Sequence, residues 1–175
     1  MISDHDKYPL IDEWKWKSFQ SPSKPKDIDQ FIIDNLTKKR DFHIGSDSKD
    51  YGKNTVYATA LIAHHCHGGG AVIIHKDKAI LCPSLRQKLI MEAMRTLEVA
   101  WYLNQRIPAT TKIRLHIDVN NNIKFQSGQY KEELVGFIMG QGYISYRDVN
   151  AENEPRVVLW KPDSWAASSV ADKRT

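Results

Sequence analysis

Residues 42–49, with the sequence Phe42-His43-Ile44-Gly45-Ser46-Asp47-Ser48-Lys49, place a carboxylate directly after a short segment of strand-forming character. We predict a strand over 42–46, followed by Asp47. An aspartate in this position commonly begins a turn, and the alternative is that Asp47 begins the turn toward Gly52. Asp50 serves that turn better. Because an unpaired negative charge beside apolar segments is costly, Asp47 is a candidate for a functional role.

Two further strands follow this first one along the chain. Side chains that alternate in character over 55–64, and apolar residues over 71–75, are typical of strands. Residues 50–54 and the glycines at 68–70 have the composition of turns, so the three strands are predicted to pair as consecutive antiparallel neighbours. The glycines do not form a phosphate-binding loop, because they precede a strand and do not open a helix.

The rest of the chain alternates helical and extended patterns. Helices are predicted over 28–39, 85–105 and 131–140 and from residue 163 onward, and strands over 113–119, around 143–149 and over 157–160. Strands that are separated by helices pair in parallel through right-handed connections. The predicted fold class is therefore α/β, a mixed sheet with three antiparallel strands followed by parallel strands, and with helices on both faces.

Residues 1–26 differ from the remainder of the chain. Prolines interrupt this polar segment, which predicts irregular structure, whereas Trp14, Trp16 and Phe19 indicate that it packs on the body of the protein or is tethered to it. Residues 27–175 are numerous enough to bury a core, and we predict that they form a single domain.

The composition limits the cellular compartments and the kinds of partner that we expect for this chain. Lys and Arg number 25 against 21 Asp and Glu, a net charge of +4. A polyanionic partner would explain this surplus, although a surplus of this size is also ordinary. No apolar run approaches the roughly 20 residues that cross a bilayer, and the first residues lack the apolar core of a signal peptide. The sequence therefore predicts a cytoplasmic protein without membrane attachment. Two cysteines without paired spacing argue against a disulfide framework.

Glu92 and Glu98 both lie on the helix predicted over 85–105. At about 100° per residue, Glu98 lies opposite the apolar face of this helix. Glu92 lies at the edge of that face, where a carboxylate can face the sheet. The alternative for Glu92 is a boundary residue that pairs with Lys88 or Arg95.

Asp118 ends an otherwise apolar strand in the parallel half of the predicted sheet. Ligand sites in such sheets lie beyond the carboxyl ends of the strands, which makes Asp118 the most informative single carboxylate. His116 points to the same face because side chains alternate along a strand. The alternative is that Asp118 caps the turn over 120–122.

A fourth carboxylate is less well defined by spacing. Asp172 lies in the last predicted helix, outside its clearest apolar stripe, and Asp163 is a rival that could equally be an N-cap. Acidic side chains that converge from separate elements are tolerated when a divalent cation neutralises them, and hard oxygen ligands suit Mg²⁺ or Mn²⁺. The pattern therefore indicates metal-dependent phosphodiester chemistry.

Four stretches together resemble the ribonuclease-H-like superfamily and, within it, the bacterial YkuK-type family. They are Phe19-Gln20-Ser21-Pro22-Ser23-Lys24, Ile44-Gly45-Ser46-Asp47-Ser48, His116-Ile117-Asp118-Val119-Asn120, and the ending from Lys161-Pro162-Asp163-Ser164 through Ala171-Asp172-Lys173. The resemblance spans nearly everything after residue 19, and the order of strands and helices is similar as well. It implies a ribonuclease-H-like fold.

This resemblance also implies a catalytic set. The superfamily takes its acidic residues from the first strand, the first core helix, the fourth strand and the last helix, which correspond to Asp47, Glu92, Asp118 and Asp172. A final helix with an Ala-Asp pair favours Asp172 over Asp163, and Asp163 is then a candidate for a supporting or substrate contact. The implied cofactors are two Mg²⁺ or Mn²⁺ ions, and the implied activity is that of a nuclease acting on RNA or DNA.

Basic and histidine side chains complete the expected site. His116 and Lys161 are candidates to support the carboxylates or to contact phosphate, and Lys49, Lys53 and Lys124 are candidates to contact the nucleic-acid backbone. The alternative is a catalytically idle module on the same fold that binds nucleic acid or protein, since a fold does not fix a function. The four carboxylates argue against this alternative, because a phosphate binder gains nothing from them.

Overall fold

The computed structural model describes residues 11–65, 68–120, 128, 130–148, 150–161 and 163–175. Among these residues, eight strands form one mixed sheet in the order β2-β1-β5-β4-β3-β6-β8-β7. The strands are β1 (Trp16–Ser18), β2 (Pro25–Lys26), β3 (Asp41–Tyr51), β4 (Asn54–His64), β5 (Gly70–Ile80), β6 (Ile113–Asn120), β7 (Ile144–Ser145) and β8 (Arg156–Lys161). The α-helices are α1 (Ile28–Thr37), α2 (Leu85–Asn104) and α3 (Lys131–Met139). This architecture confirms the predicted α/β fold class.

Strands β3, β4 and β5 form the antiparallel part of the sheet. β4 pairs along its whole length with β3 on one side and with β5 on the other. Gly52 turns the chain between β3 and β4 with a φ of +58°, a left-handed conformation that glycine adopts without strain. The prediction that the first strand ends at Ser46 is wrong. Asp47 pairs with Ala58 and the ladder continues to Tyr51, so Asp47 lies within the strand.

Strands β6, β8 and β7 form the parallel part, beside β3. Gly45 of β3 pairs with His116 of β6, which pairs in turn with Leu159 of β8. The strand predicted around 143–149 is reduced to Ile144–Ser145. Its chain turns there, because the N–H of Asp148 donates to the carbonyl of Ser145 at 2.9 Å, and Val149 lies outside the described residues.

The last helical part of the chain begins later than predicted. The N–H groups of Asp163 and Ser164 both donate to the carbonyl of Trp160, at 2.8 and 3.0 Å, so the chain makes a tight turn before it. A π-helix then covers Ala166–Ala171 and a 3₁₀ turn covers Asp172–Arg174. These two elements are called the C-terminal helical segment below. The predicted start at residue 163 is therefore wrong.

The expectation of irregular structure before residue 27 misses two short strands. β1 pairs with β5 on one side and with β2 on the other, which extends the sheet at its antiparallel edge. Trp14 and Trp16 are buried, and the Trp14 ring stacks on the ring of His75 at a centroid distance of 4.3 Å. Aromatic burial thus joins residues 11–26 to the sheet. The domain boundary at residue 27 stays a prediction.

Apolar side chains cover both faces of the sheet. The larger cluster joins one face to the helices, with Phe42, Leu97 and Leu115 among its fully buried members. The smaller cluster lies beneath the C-terminal helical segment and consists of Ala58, Ala60, Ile62, Ile74, Ala166 and Ala171. Both clusters pack against β4, since this central strand contributes residues to each. Within the described part of the chain, no helix combines the length and the apolar character that a membrane crossing requires.

Candidate active site

Strand register places Asp47 and Asp118 side by side on one face of the sheet. The parallel ladder between β3 and β6 ends with Gly45 opposite His116, and each aspartate lies two residues farther along its strand. Because side chains alternate, residues two apart share a face. Neighbouring strands are about 4.8 Å apart. The alternative in which Asp118 caps a turn over 120–122 receives no support from its position inside β6, and residues 121 and 122 lie outside the described ones.

The C-terminal helical segment brings Asp172 to this pair. The carboxyl group of Asp172 approaches that of Asp47, and this contact favours the protonated form of Asp47. Burial raises the pKa of Asp47 to about 7, and the hydrogen bond to Asp172 and the negative charge of Asp118 act in the same direction. The backbone N–H of Ser48 opposes this rise. Asp47 therefore sits where negative charge accumulates from three elements.

Helix α2 contributes Glu92, which is buried at 7% exposure. The hydroxyl of Ser48 donates to Oε1 of Glu92 at 2.5 Å. Burial raises the pKa of Glu92 to about 8, and the charges of Asp47 and Asp118 raise it further, whereas the Ser48 hydroxyl lowers it. The charge of Asp118 therefore raises the pKa of Glu92 as well as that of Asp47.

The alternative partners of Glu92 are engaged elsewhere. Lys88 lies 3.4 Å from Oδ2 of Asp50, and the guanidinium of Arg95 holds Asp77 through two hydrogen bonds. The hydrogen bond that the structure gives to Glu92 comes from Ser48, while the charge of Lys88 also lowers the pKa of Glu92. Glu98, on the same helix, takes no part in the cluster, and its pKa is raised by burial alone.

Asp118 has a cation beside it. The Nζ atom of Lys161 lies 2.7 Å from Oδ1 of Asp118, an ionic contact whose angles fall outside those of a hydrogen bond. Lys161 ends β8, the strand next to β6. The side chain of Lys161, which was expected to support the carboxylates or to contact phosphate, thus neutralises one member of the cluster.

The rival carboxylate lies apart from this group. Arg147 binds Asp163 through two hydrogen bonds, of 2.7 and 3.2 Å. The structure therefore puts Asp172, and not Asp163, next to Asp47. Lys49 is exposed on β3, two residues beyond Asp47, and Lys53 lies in the exposed turn after β3. Lys124 lies outside the described residues.

A family model described as Ribonuclease H-like matches residues 25–175. The chain belongs to the ribonuclease-H-like family. The matched range includes all four carboxylates of the cluster and confirms the superfamily predicted from the sequence. Among curated proteins and among solved structures, no match to this chain is found. The nearness to the YkuK-type family stays a prediction.

His116 of this ribonuclease-H-like chain does not contact the carboxylates. It is fully buried, and its Nδ1 accepts a hydrogen bond from the N–H of Trp165 at 3.1 Å. Its other nitrogen, Nε2, must then carry the proton and donate it to Nδ1 of His43, 2.8 Å away. Burial lowers the pKa of both imidazoles, that of His43 to about 3, and the nearby Arg114 lowers them further. His116 therefore anchors the chain that leads into the C-terminal helical segment.

Sequence reasoning missed His43 and Trp165 as parts of this site. A signal existed, because His43 lies four residues before Asp47 on β3, and His116 lies two residues before Asp118 on β6. Strand alternation places these four side chains on one face. The contact with Trp165 had no such signal, since it depends on the tight turn after β8.

The cluster is not arranged as a ready metal site. Across the residues that the structure describes, no three His, Cys, Asp or Glu side chains are placed so that they could hold a metal ion. Glu92 is turned to Ser48, and Asp118 to Lys161. The donors nevertheless fit a hard divalent cation, because all four are carboxylates and two of them have a pKa raised by burial and mutual charge. The residues therefore fit a divalent cation in their donor atoms and charge. The side chains of Glu92 and Asp118 would have to rotate to bind one.

Proposed function

We propose that this chain is a divalent-metal-dependent nuclease that hydrolyses phosphodiester bonds of RNA or DNA. The family membership supports a nuclease-type fold. The observation that carries the proposal is the electrostatic contact among Asp47, Glu92, Asp118 and Asp172, which come from β3, α2, β6 and the C-terminal helical segment. Such a concentration of negative charge around buried Glu92 and the partly buried Asp47 and Asp118 is unfavourable by itself and favourable once a cation binds.

The four carboxylates would hold two Mg²⁺ or Mn²⁺ ions. When bound, the ions would supply an activated water molecule and a positive charge for the leaving oxygen. Asp47, which lies between the other carboxylates, would help to hold the ions together with Glu92, Asp118 and Asp172. At neutral pH Asp47 is partly protonated and Glu92 is mostly protonated. Each must release its proton before it coordinates an ion, so metal binding competes with protonation.

The neighbouring side chains orient these carboxylates. The hydroxyl of Ser48 fixes the direction of Glu92 and lowers its pKa. Lys161 neutralises Asp118 while no ion is bound. Once an ion takes over this neutralisation, the Lys161 ammonium is free to contact a phosphate of the substrate. Buried His116 keeps the C-terminal helical segment, and with it Asp172, near β3.

A specific observation favours a second candidate, a catalytically idle module that binds nucleic acid or protein. Lys161 already neutralises Asp118, and the raised pKa of Asp47 lets protonation reduce the negative charge of the cluster, so the charge is balanced without metal. In that case the carboxylates stabilise the fold by their mutual contacts. Metal binding separates the two candidates.

Calorimetric titration with Mn²⁺ at pH 8 tests the proposal. We expect the wild-type protein to bind Mn²⁺ and Asp118→Asn to bind it at least tenfold more weakly, because the variant removes a charged ligand. Asp163→Asn is the matched control, since Asp163 pairs with Arg147 outside the cluster, and it should bind as the wild type does. No binding by the wild type, or equal binding by Asp118→Asn, would favour the idle module.

A further inference from the structure

A basic cleft lies on the same face of the sheet as Asp47 and Asp118. It has a volume of about 320 Å³, and its walls include Lys15, Lys17, Lys76 and Arg174. Ser18, Pro22 and the buried Ile74 complete the lining. None of the lining residues carries a carboxylate, so the cleft concentrates positive charge in a chain whose candidate active site is acidic.

The four cations of the cleft have no carboxylate partner in the part of the chain that the structure describes. Lys15, Lys17 and Lys76 are exposed. Arg174 is held in place, because its Nη2 donates to the carbonyl of Phe19 at 2.5 Å and its guanidinium lies 4.2 Å from the centroid of the Phe19 ring. A fixed guanidinium beside three mobile ammonium groups suits an anion with several negative charges.

Sheet register connects the cleft with the carboxylates. Asp47 pairs with Ala58 of β4, and Ala58 pairs with Lys76 of β5. Residues that face each other across a ladder point to the same side of the sheet. Lys76 therefore lies two strands from Asp47, or roughly 10 Å at about 4.8 Å per strand.

The C-terminal helical segment joins the two regions a second time. Asp172 contacts Asp47, while Arg174, two residues later, lines the cleft. Ala166 and Ala171 of the same segment pack against the small side chains Ala58 and Ala60 of β4. A strand of nucleic acid that passes over this segment would meet carboxylates at one end and cations at the other.

Four of the seven residues that line the cleft come from outside the part of the chain that matches the family model. That match begins at residue 25, whereas Lys15, Lys17, Ser18 and Pro22 precede it. The segment is anchored by β1, whose residue Lys17 pairs with Ile74 of β5. The buried rings of Trp14 and Trp16 alternate with the exposed lysines, so that the aromatic rings fix the position of the ammonium groups.

We propose that this cleft binds the phosphodiester backbone of one nucleic-acid strand and guides it to the carboxylate cluster. The inference deepens the proposed function and rests on it for the reaction, although the binding itself needs no metal. The volume is that of a site for a small ligand, which accommodates a few linked phosphates of a single strand and not the width of a duplex. Contacts to phosphates carry no sequence information, so the cleft binds strands of any sequence.

Binding is measured by fluorescence anisotropy in EDTA, with a labelled 20-nucleotide oligothymidylate and its duplex with oligoadenylate. The test variant is Lys15→Gln/Lys17→Gln/Lys76→Gln. The control is Lys38→Gln/Lys39→Gln/Lys112→Gln, which removes the same charge outside the cleft. All test positions are exposed, so we expect unchanged circular dichroism and thermal unfolding. A single Lys76→Gln variant and its Lys76→Arg counterpart repeat the test with smaller perturbation.

We expect the test variant to bind the single strand at least tenfold more weakly at about 0.1 M salt. It should also lower the slope of log K against log salt by about 2, as three lost phosphate contacts require. The control variant should keep both values near those of the wild type, and Lys76→Arg should restore what Lys76→Gln loses. Equal affinity of the test and control variants would overturn the proposal. So would competition by inorganic phosphate or thymidine monophosphate at the oligonucleotide's own concentration, since the cleft would then take isolated phosphate groups.

Cleavage assays with the same variants distinguish a failure of the cleft proposal from a failure of the nuclease proposal. With Mn²⁺ present, the test variant should raise KM at least tenfold and leave kcat within about twofold. If it binds as the wild type does while cleavage depends on Asp47, the cleft proposal fails and the nuclease proposal stands. If it loses binding in EDTA while no metal supports cleavage, the cleft proposal stands and the nuclease proposal fails.

Discussion

The Nζ atom of Lys161 lies 2.7 Å from Oδ1 of Asp118, so a cation of the protein occupies the side of the cluster that faces β8. Under the proposed function, a divalent ion would compete with this lysine for the same carboxylate. The stability of the metal-free protein would then depend on the same contact that limits metal binding.

Removal of the ammonium by Lys161→Met should destabilise the metal-free protein at pH 8. Because the pair is partly exposed, the expected loss is about 1 kcal/mol or less. Saturating Mn²⁺ should reverse the loss and stabilise the variant more than the wild type, since a bound ligand stabilises the folded state. Urea unfolding with and without Mn²⁺ measures both effects. Arg147→Met, which breaks a pair outside the cluster, should show no dependence on Mn²⁺. An unaltered stability of Lys161→Met in both conditions would contradict the account.

The raised pKa values of Asp47 and Glu92 predict a fall in stability as the pH rises. In the folded protein the pKa values of these groups are about 7 and about 8, whereas in the unfolded chain the groups lose their protons near their ordinary pKa values of 3.8 and 4.5. The folded state binds more protons in between, so its free energy of unfolding decreases with pH until both groups are ionised. Between pH 6.5 and 8.5 in EDTA we expect a loss of roughly 2–3 kcal/mol, or about 4–12 °C in Tm.

The histidines with lowered pKa values determine the pH below which the folded protein loses stability. The pKa values of His43, His75 and His116 are lowered in the folded protein. The unfolded chain takes up protons at these groups below its pKa of 6.5, so stability is lost there as the pH falls. Urea unfolding should thus show a maximum near pH 6–7, and Asp47→Asn should flatten the decline above it. A stability that rises from pH 6.5 to 8.5 would contradict the assigned pKa values.

Substitution of His116 should loosen the C-terminal helical segment. His116→Leu leaves the Trp165 N–H and Nδ1 of His43 without partners, which costs about 2–4 kcal/mol. His116→Asn keeps an acceptor near the position of Nδ1 and should retain part of the stability. Hydrogen exchange of the Trp165 amide, followed by nuclear magnetic resonance, should accelerate strongly in the leucine variant and less in the asparagine variant. Lys38→Leu, at an exposed position outside this group of rings, is the control. If the Trp165 amide exchanges at the same rate in the wild type and in both His116 variants, His116 does not anchor the segment.

Loss of the Ser48 hydroxyl should make Glu92 hold its proton to a higher pH. This hydroxyl lowers the pKa of Glu92 by its hydrogen bond, so Ser48→Ala should raise that pKa. If metal binding requires ionised Glu92, the pH at which Mn²⁺ affinity is half-maximal should move upward by several tenths of a unit or more. Ser46→Ala is the matched control on the same strand, because its hydroxyl contacts Thr59 and Thr96 instead. A shift of equal size in both variants would show that Ser48 has no special relation to Glu92.

Much of the fold could be predicted because strand alternation and element order are local properties of the sequence. The same alternation predicted that Asp118 shares a face with His116, and the parallel order put its strand beside that of Asp47. The pairing of Lys161 with Asp118 was beyond sequence reasoning, since it depends on the register between β6 and β8, which shifts between Ile117 and Asn120.

The edges of the structure were predicted least well. β1 and β2 have three and two residues, which is too short for a periodic pattern, and tertiary burial of Trp14 and Trp16 decides their conformation. The C-terminal helical segment also departs from prediction. Its start is set by hydrogen bonds to Trp160 and by the contact of Trp165 with His116, and its residues have no helical cap that the sequence would reveal.

Cleavage of a labelled single-stranded substrate in Mn²⁺ by the purified wild-type protein, with Asp47→Asn and Asp163→Asn beside it, tests the central claim most directly. Duplex and RNA–DNA hybrid substrates are measured in parallel. We predict that the wild type and Asp163→Asn cleave at least one of the three, and that Ca²⁺ supports cleavage poorly because its looser coordination misplaces the attacking water. Asp47→Asn should lose cleavage by at least about 10³-fold, or roughly 4 kcal/mol of activation free energy, while it keeps salt-sensitive binding. No cleavage by the wild type, or cleavage that survives in Asp47→Asn, would contradict the account.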